Sequence, residues 1–176
     1  MNRKNTIKEQ VNEWGGAGIF DGEPQNLGLH EKRLNASRRK LFGSTGDISL
    51  AEHISVPEDS LTRVYRCRVI YEESIISIEF MPYRPAVVRT LKVVHADDID
   101  YSLKYLDRTC LTGLIDRGVA DDVLIVKNGF VTDTSYSNIV FTDGLRWIMP
   151  DTPLLRGTMR EKLLIEGTIR EKKINC

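Results

Sequence analysis

ADDVLIVKNGFVTDTSYSNIVFTDGLRWIMPDTPLLRGTMR, Ala120 to Arg160, is the stretch whose reading decides the fold. Val123 to Val126 is a run of branched apolar residues long enough for a buried strand. Asn128-Gly129 follows it, and both residues tolerate the positive φ that a two-residue hairpin turn demands. Phe130 to Thr132 then returns as the partner strand, and Asp133 falls at its end. Asn138 to Phe141 and Leu145 to Met149 flank Asp143-Gly144, which reads as a second turn of the same chemistry. Gly157-Thr158 closes the stretch as the entry to a helix. Two hairpins and a helix start thus carry acidic, hydroxyl and amide residues at spacings that core packing does not require.

Working outward, the chain before this stretch alternates in period. Leu103, Leu106, Cys110 and Leu114 recur at three and four residues, which predicts a helix over Leu103 to Arg117 ended by Gly118. Asp97 to Asp100 is an acidic turn, and Thr90 to Val94 reads as a strand. Pro82 and Pro85 interrupt the pattern. Upstream of them the period is two: Tyr65, Cys67, Val69 and Tyr71 alternate with Val64, Arg66, Arg68 and Ile70, and Ile75 to Met81 can return as a partner. Residues 44 to 62 are polar, with a short amphipathic piece at Ile48 to Ile54. Leu29 to Leu41 predicts a helix with Leu34, Ser37 and Leu41 on one side, stopped at Phe42-Gly43. Asp21-Gly22 to Asn26 reads as a turn. Trp14 to Gly18 is too rich in glycine to propagate either period, and it is no nucleotide fingerprint because no strand precedes it. Met1 to Asn12 is charged and unpatterned. The expected division is a small α+β unit over residues 1–85 and a larger one over 86–176, joined near Pro82 to Pro85.

Composition narrows the function classes. Twenty-five basic residues balance twenty-five acidic ones, which argues against a dedicated nucleic-acid or anionic-membrane surface. Arg38-Arg39-Lys40 reads as a solvated helix face. Cys67, Cys110 and Cys176 are three cysteines without a close pair, so neither a disulfide framework nor a zinc site is expected, and no metal ligand is assigned. No apolar run approaches the ~18 to 20 residues that span a bilayer. The polar opening MNRKNTIKEQ lacks the apolar centre of a secretion signal, so the cytoplasm is the expected compartment.

The order VTDTSYSN, then TPLL, then RGTMR resembles the central signature of the class IV pyridoxal-phosphate aminotransferases, the family of branched-chain and D-amino acid aminotransferases and aminodeoxychorismate lyase. The resemblance implies a two-domain, D-amino acid aminotransferase-like α+β fold (pyridoxal-phosphate fold type IV), shortened at both ends. In particular, family members continue beyond the last helix into strands, and this chain is expected to stop short of them.

What the resemblance implies for the site can be set residue by residue. Lys104, in IDYSLKYLDR, would be the Schiff-base lysine of pyridoxal 5'-phosphate and would move the proton between Cα and C4′; that task needs a neutral amine at the moment of attack. Asp133 stands where the family usually has glutamate, and would bond the pyridine nitrogen. A turn-capping aspartate is the bland reading of the same DTS. Ser135, Ser137 and Asn138 follow in the family's spacing, with Ser137 and Asn138 toward the phosphate. Gly157, Thr158 and Met159 would cradle that phosphate at a helix N-terminus, although Thr158-x-x-Glu161 also reads as a plain capping box. Leu155 resembles the apolar rest for the ring, and Arg33, in LHEKRLNASRR, matches an arginine that reaches the phosphate. Tyr101 and Tyr105 bracket the lysine, and either could contact ring or substrate; arginines of Arg63 to Arg68 could take a substrate carboxylate. The activity so implied is transfer of an amino group between an amino acid and a 2-oxo acid, in a homodimer. The alternatives are aminodeoxychorismate lyase-type β-elimination releasing pyruvate and a non-catalytic relative that binds cofactor or serves a structural role.

Overall fold

The structure, a computed structural model, describes residues 7–11, 19–20, 23–57 and 64–176. The glycine-rich Trp14 to Gly18, the turn at Asp21-Gly22 and the polar residues 58–63 lie outside that set. The chain divides into two units, one of Met1–Pro85 with Leu103–Asp107 and one of Ala86–Ser102 with Arg108–Cys176.

Alternation builds the first unit. Strand β4 (Tyr65–Tyr71) buries Tyr65, Cys67, Val69 and Tyr71 and leaves Arg66, Arg68 and Ile70 half-buried, as a period of two requires. It pairs antiparallel with β5 (Ile75–Pro82) along its length. The remaining strands are β1 (Ile7–Val11), β2 (Ile19–Phe20) and β3 (Glu23–Pro24): β1 and β2 both pair antiparallel with β4, and β3 pairs with β2. The unpatterned opening of the chain therefore contains a strand, held by β4 rather than by its own propensity.

Helix α1 (Leu27–Phe42) ends on Gly43 in the left-handed region, φ 66°, whose N–H bonds the Arg39 carbonyl. Its Leu34 packs with Leu50, from a 3-10 turn at Leu50–Glu52, and with the inward face of β4; Leu103 and Tyr105 pack against this core. Arg38 corrects an expectation. It is buried, not solvated, because its guanidinium donates to the carbonyls of Glu73 and Gly46 and to Asn35 Oδ1, at 2.7 to 2.9 Å.

The second unit carries two three-stranded sheets. In one, β6 (Leu91–His95) runs parallel to β7 (Asp122–Lys127), and β7 pairs antiparallel with β8 (Phe130–Thr134). Asn128 (φ 51°) and Gly129 (φ 80°) make the expected two-residue turn between Lys127 and Phe130. In the other, β10 (Trp147–Pro150) pairs antiparallel with β9 (Phe141–Thr142). The Asp143-Gly144 turn differs from its reading: only Gly144 has positive φ, and the Asp143 carboxylate accepts from the Leu145 and Arg146 amides. The loop is accordingly Asp143 to Arg146, and the strands around it are shorter than expected.

Two further elements depart from the sequence reading. The helix expected over Leu103 to Arg117 is only α2 (Thr109–Thr112), ended at Gly113. Leu103 and Tyr105 are drawn into the first unit's core, and this tertiary demand outweighs the three-and-four spacing. The same segment departs from a single division after residue 85, since Leu103–Asp107 belongs with the first unit. At the other end, helix α3 (Thr158–Ile165) is followed by a strand, β11 (Arg170–Lys172), parallel to β10, and Asn175 bridges Phe130.

Candidate active site around Asp133 and the α3 cap

Asp133 lies one residue inside the end of β8, and its neighbours alternate between core and turn. Thr132 hydroxyl donates to the Ile125 carbonyl, at 2.9 Å. The turn after the strand is capped by Thr134, whose hydroxyl accepts from the Tyr136 and Ser137 amides. Asp133 is therefore free of the turn-capping task and points elsewhere. Its Oδ2 accepts from the Leu154 amide at 2.8 Å and the Leu155 amide at 3.1 Å, and its Oδ1 accepts from Asn138 Nδ2 at 2.6 Å.

Burial and these bonds act on its charge in opposite directions. Asp133 is 5% exposed, and loss of hydration pushes its carboxyl up from 3.8 to about 6. The bonds from Asn138, Leu155 and Leu154 and the charge of Arg160 pull it down, so the acid is mostly ionised at neutral pH.

The other second-unit candidates surround this carboxylate or the helix cap. Asn138 forms an antiparallel bridge with Asp133, donates also to the Leu155 carbonyl at 2.8 Å, and accepts from the Gly157 amide at 3.2 Å. Both backbone groups of Leu155 are thus engaged by this pair. Gly157 is the N-cap of α3, with extended dihedrals and no side-chain cap bond. The cap falls one residue before the Thr158 on which a capping box would need it, so that reading is corrected. Thr158 is buried and Met159 half-buried in the first turn. Ser135 is buried, and Arg108 Nη2 donates to its carbonyl while the guanidinium stacks on Tyr136 at 5.1 Å. Ser137 is exposed. Tyr101 is buried in this unit.

Sequence reasoning missed Arg160, which anchors the helix from below. It is 2% exposed, donates to the Pro150 carbonyl at 2.9 Å and pairs with Glu171 of β11. Its only signal was a basic residue two after the Gly157-Thr158 pair, which charge alone does not distinguish from a surface arginine.

Lys104, Arg33 and Tyr105 belong to the first unit. Lys104 is half-buried and stands on an irregular segment rather than a helix. Arg33 is half-buried on α1, and its charge acts on the buried Tyr71 hydroxyl, which burial raises to about 12. Among the described residues no three His, Cys, Asp or Glu side chains gather as a metal site, and no helix is long and apolar enough to cross a membrane.

This geometry can be set beside known proteins. The model of the amino-transferase class IV family matches residues 102–176. A solved structure from Haemophilus somnus 129pt, provisionally a 4-amino-4-deoxychorismate lyase, is 33% identical and superposes with a TM-score of 0.85 over 97% of this chain and 88% of its own. The chain belongs to the class IV aminotransferase family. An uncharacterized protein of Haemophilus influenzae is 42% identical over 146 residues, 81% of this chain and 78% of its own. An aminotransferase from Brucella abortus, solved bound to the cofactor PLP, is 16% identical with a TM-score of 0.64 over 99% of this chain and 74% of its own, and shares the class IV fold. The class IV family is one of enzymes, both aminotransferases and lyases, acting on small molecules, and the mixed α/β architecture of this member is the family's own.

The residues of the second unit fit pyridoxal phosphate. Asp133 is a buried carboxylate whose Oδ1 carries a single side-chain donor and keeps a lone pair. The α3 cap is a glycine without a side-chain cap bond, and the first turn that follows it lies at the positive end of the helix, where a phosphate is favoured.

Proposed function

We propose that this protein is a pyridoxal-phosphate-dependent aminotransferase of the cytoplasm, working as a homodimer and moving an amino group between an amino acid and a 2-oxo acid. The observation that carries the reading is the buried Asp133 carboxylate, which accepts from the Leu154 and Leu155 amides just before the α3 cap. When bound, pyridoxal phosphate supplies an electron sink for the bonds at the substrate's α-carbon.

The chain's own residues supply the rest. Asp133 would hold the pyridine nitrogen protonated through a charge-assisted bond. The Thr158 and Met159 amides and the Thr158 hydroxyl would hold the phosphate at the positive end of α3, with Gly157 allowing close approach. Arg33 would add a guanidinium for the phosphate and Ser137 a hydroxyl, Asn138 would order the loop between Asp133 and the α3 cap, and Leu155 would offer an apolar surface for the ring. Lys104 would be the amine that holds the cofactor's aldehyde, and would serve as the base for the proton at the substrate Cα.

A second reading, β-elimination that releases pyruvate, is favoured by the 33% identity to the protein provisionally assigned as a 4-amino-4-deoxychorismate lyase. Titration with pyridoxal phosphate, borohydride treatment and peptide mass analysis test the cofactor role: a mass gain on Lys104 is expected, and a gain on another lysine rejects the assignment. An amino-donor screen with 2-oxo acids, run beside a pyruvate assay on aminodeoxychorismate, separates the two activities.

A further inference from the structure

Asn138 spends every polar group of its side chain inside the second unit. One amide hydrogen goes to Asp133 Oδ1 at 2.6 Å, the other to the Leu155 carbonyl at 2.8 Å, and the Oδ1 accepts from Gly157 N–H at 3.2 Å. A primary amide has two N–H donors and one carbonyl, so no donor is left for a ligand. The same residue is bridged through its backbone to Asp133. One side chain therefore ties together the acid of β8, the Leu154-Leu155 turn and the cap of α3.

We propose that Asn138 is a positioning residue: it aims and charges the Asp133 carboxylate and fastens it to the first turn of α3, without touching the cofactor. The inference rests on the reading of Asp133 as the partner of the ring nitrogen for its catalytic consequence, but not for its geometry. An asparagine donating to the cofactor would have to give up one of its two N–H bonds. The Leu154 and Leu155 donors are backbone groups that any side chain leaves in place, so among the described residues Asn138 is the neutral side-chain donor to Asp133 that substitution can remove.

The charged group acting on Asp133 from the neighbouring helix is Arg160 of α3, itself paired with Glu171 of β11. Arg160 is common to wild type and variants, so a change at 138 is read against a constant field. Removing the Asn138 donor takes away a bond that is stronger to the carboxylate than to the neutral acid, which favours protonation.

The test is the carboxyl titration of Asp133 in the cofactor-free full chain, followed by 13C NMR. Asn138→Ala is expected to move the Asp133 midpoint upward by about one pH unit. Asn138→Leu, close in size but without the donor and without a charge, moves it in the same direction and serves where the alanine variant does not fold. Ile169→Ala, in the same unit's core at 5% exposure, is a stability control expected to lower Tm and leave the titration in place. An unmoved midpoint in a folded Asn138 variant, or an equal rise in Ile169→Ala, overturns the proposal. Cofactor titration of the wild type is read separately: failure to bind pyridoxal phosphate while the Asp133 midpoint still shifts rejects the functional reading and leaves the positioning role standing.

Discussion

Asn138 Oδ1 fills the space into which a side chain at Gly157 would grow. A Cβ built on Gly157 meets that oxygen far inside van der Waals contact, and the amide cannot swing aside without breaking its bonds to Asp133 and Leu155. Gly157→Ala is therefore expected to cost about 1 to 3 kcal/mol as an overpacked site. In an Asn138→Ala background the added methyl meets no amide, and the double variant should lose less than the sum of the singles. Urea unfolding of the four proteins reads the coupling; strict additivity would contradict the contact.

Acidity at Asp133 gives a pH signature. Its folded value, about 6, lies above the ordinary 3.8. The fold thus prefers the protonated acid, and the contribution is fully present below about pH 4 and lost as pH rises through about 6. The stability of wild type relative to Asp133→Asn should fall by about 2 to 3 kcal/mol between pH 4 and pH 7 and then level. A difference that grows with pH over that window would show the carboxylate to be stabilised by its site instead.

Arg160 and Glu171 are unequal partners, the first 1% and the second 35% exposed at the side chain. Arg160→Met strands the Pro150 carbonyl and should cost about 3 kcal/mol. Glu171→Gln keeps an acceptor near a guanidinium that still bonds Pro150, and should cost about 1 kcal/mol. Denaturation followed by tryptophan fluorescence checks the order; equal losses would mean that the ion pair carries the whole effect.

In the first unit, Arg38 holds the loop after α1 through the Gly46 carbonyl and through Asn35, which in turn accepts from the Ile48 amide at 2.9 Å. Arg38→Ala should cost about 2 to 4 kcal/mol and expose that loop first. Hydrogen exchange is the measurement: the Ile48 amide is expected to lose protection before the amides of β4 do.

The sequence made some of this plain and hid the rest for identifiable reasons. Asn128-Gly129 announces its hairpin because both residues tolerate positive φ, and β4 announces itself by alternation. Asp143-Gly144 looks alike, yet Asp143 spends its carboxylate on the following amides and a longer loop results. The residues around Lys104 carry a helical spacing that is overruled because Leu103 and Tyr105 are needed elsewhere. Strand β11 is Arg-Glu-Lys, charged at all three positions, and no pattern of hydrophobicity marks it. Asp133 and Asn138 could be picked out by motif, but that their side chains bond each other and the α3 cap depends on Leu154 to Gly157 folding back from some twenty residues away.

Because Leu103–Asp107 packs with Met1–Pro85 while its flanks on both sides belong to the other unit, the polypeptide crosses over, returns and crosses again. No single scissor cut releases either half intact. A fragment ending at Pro85 leaves Leu34 and Tyr71 without Leu103 and Tyr105, and one beginning at Ala86 carries Lys104 on a strip of chain stripped of its bed. Dissection of this protein by domain truncation would destroy the support of the lysine before any assay began.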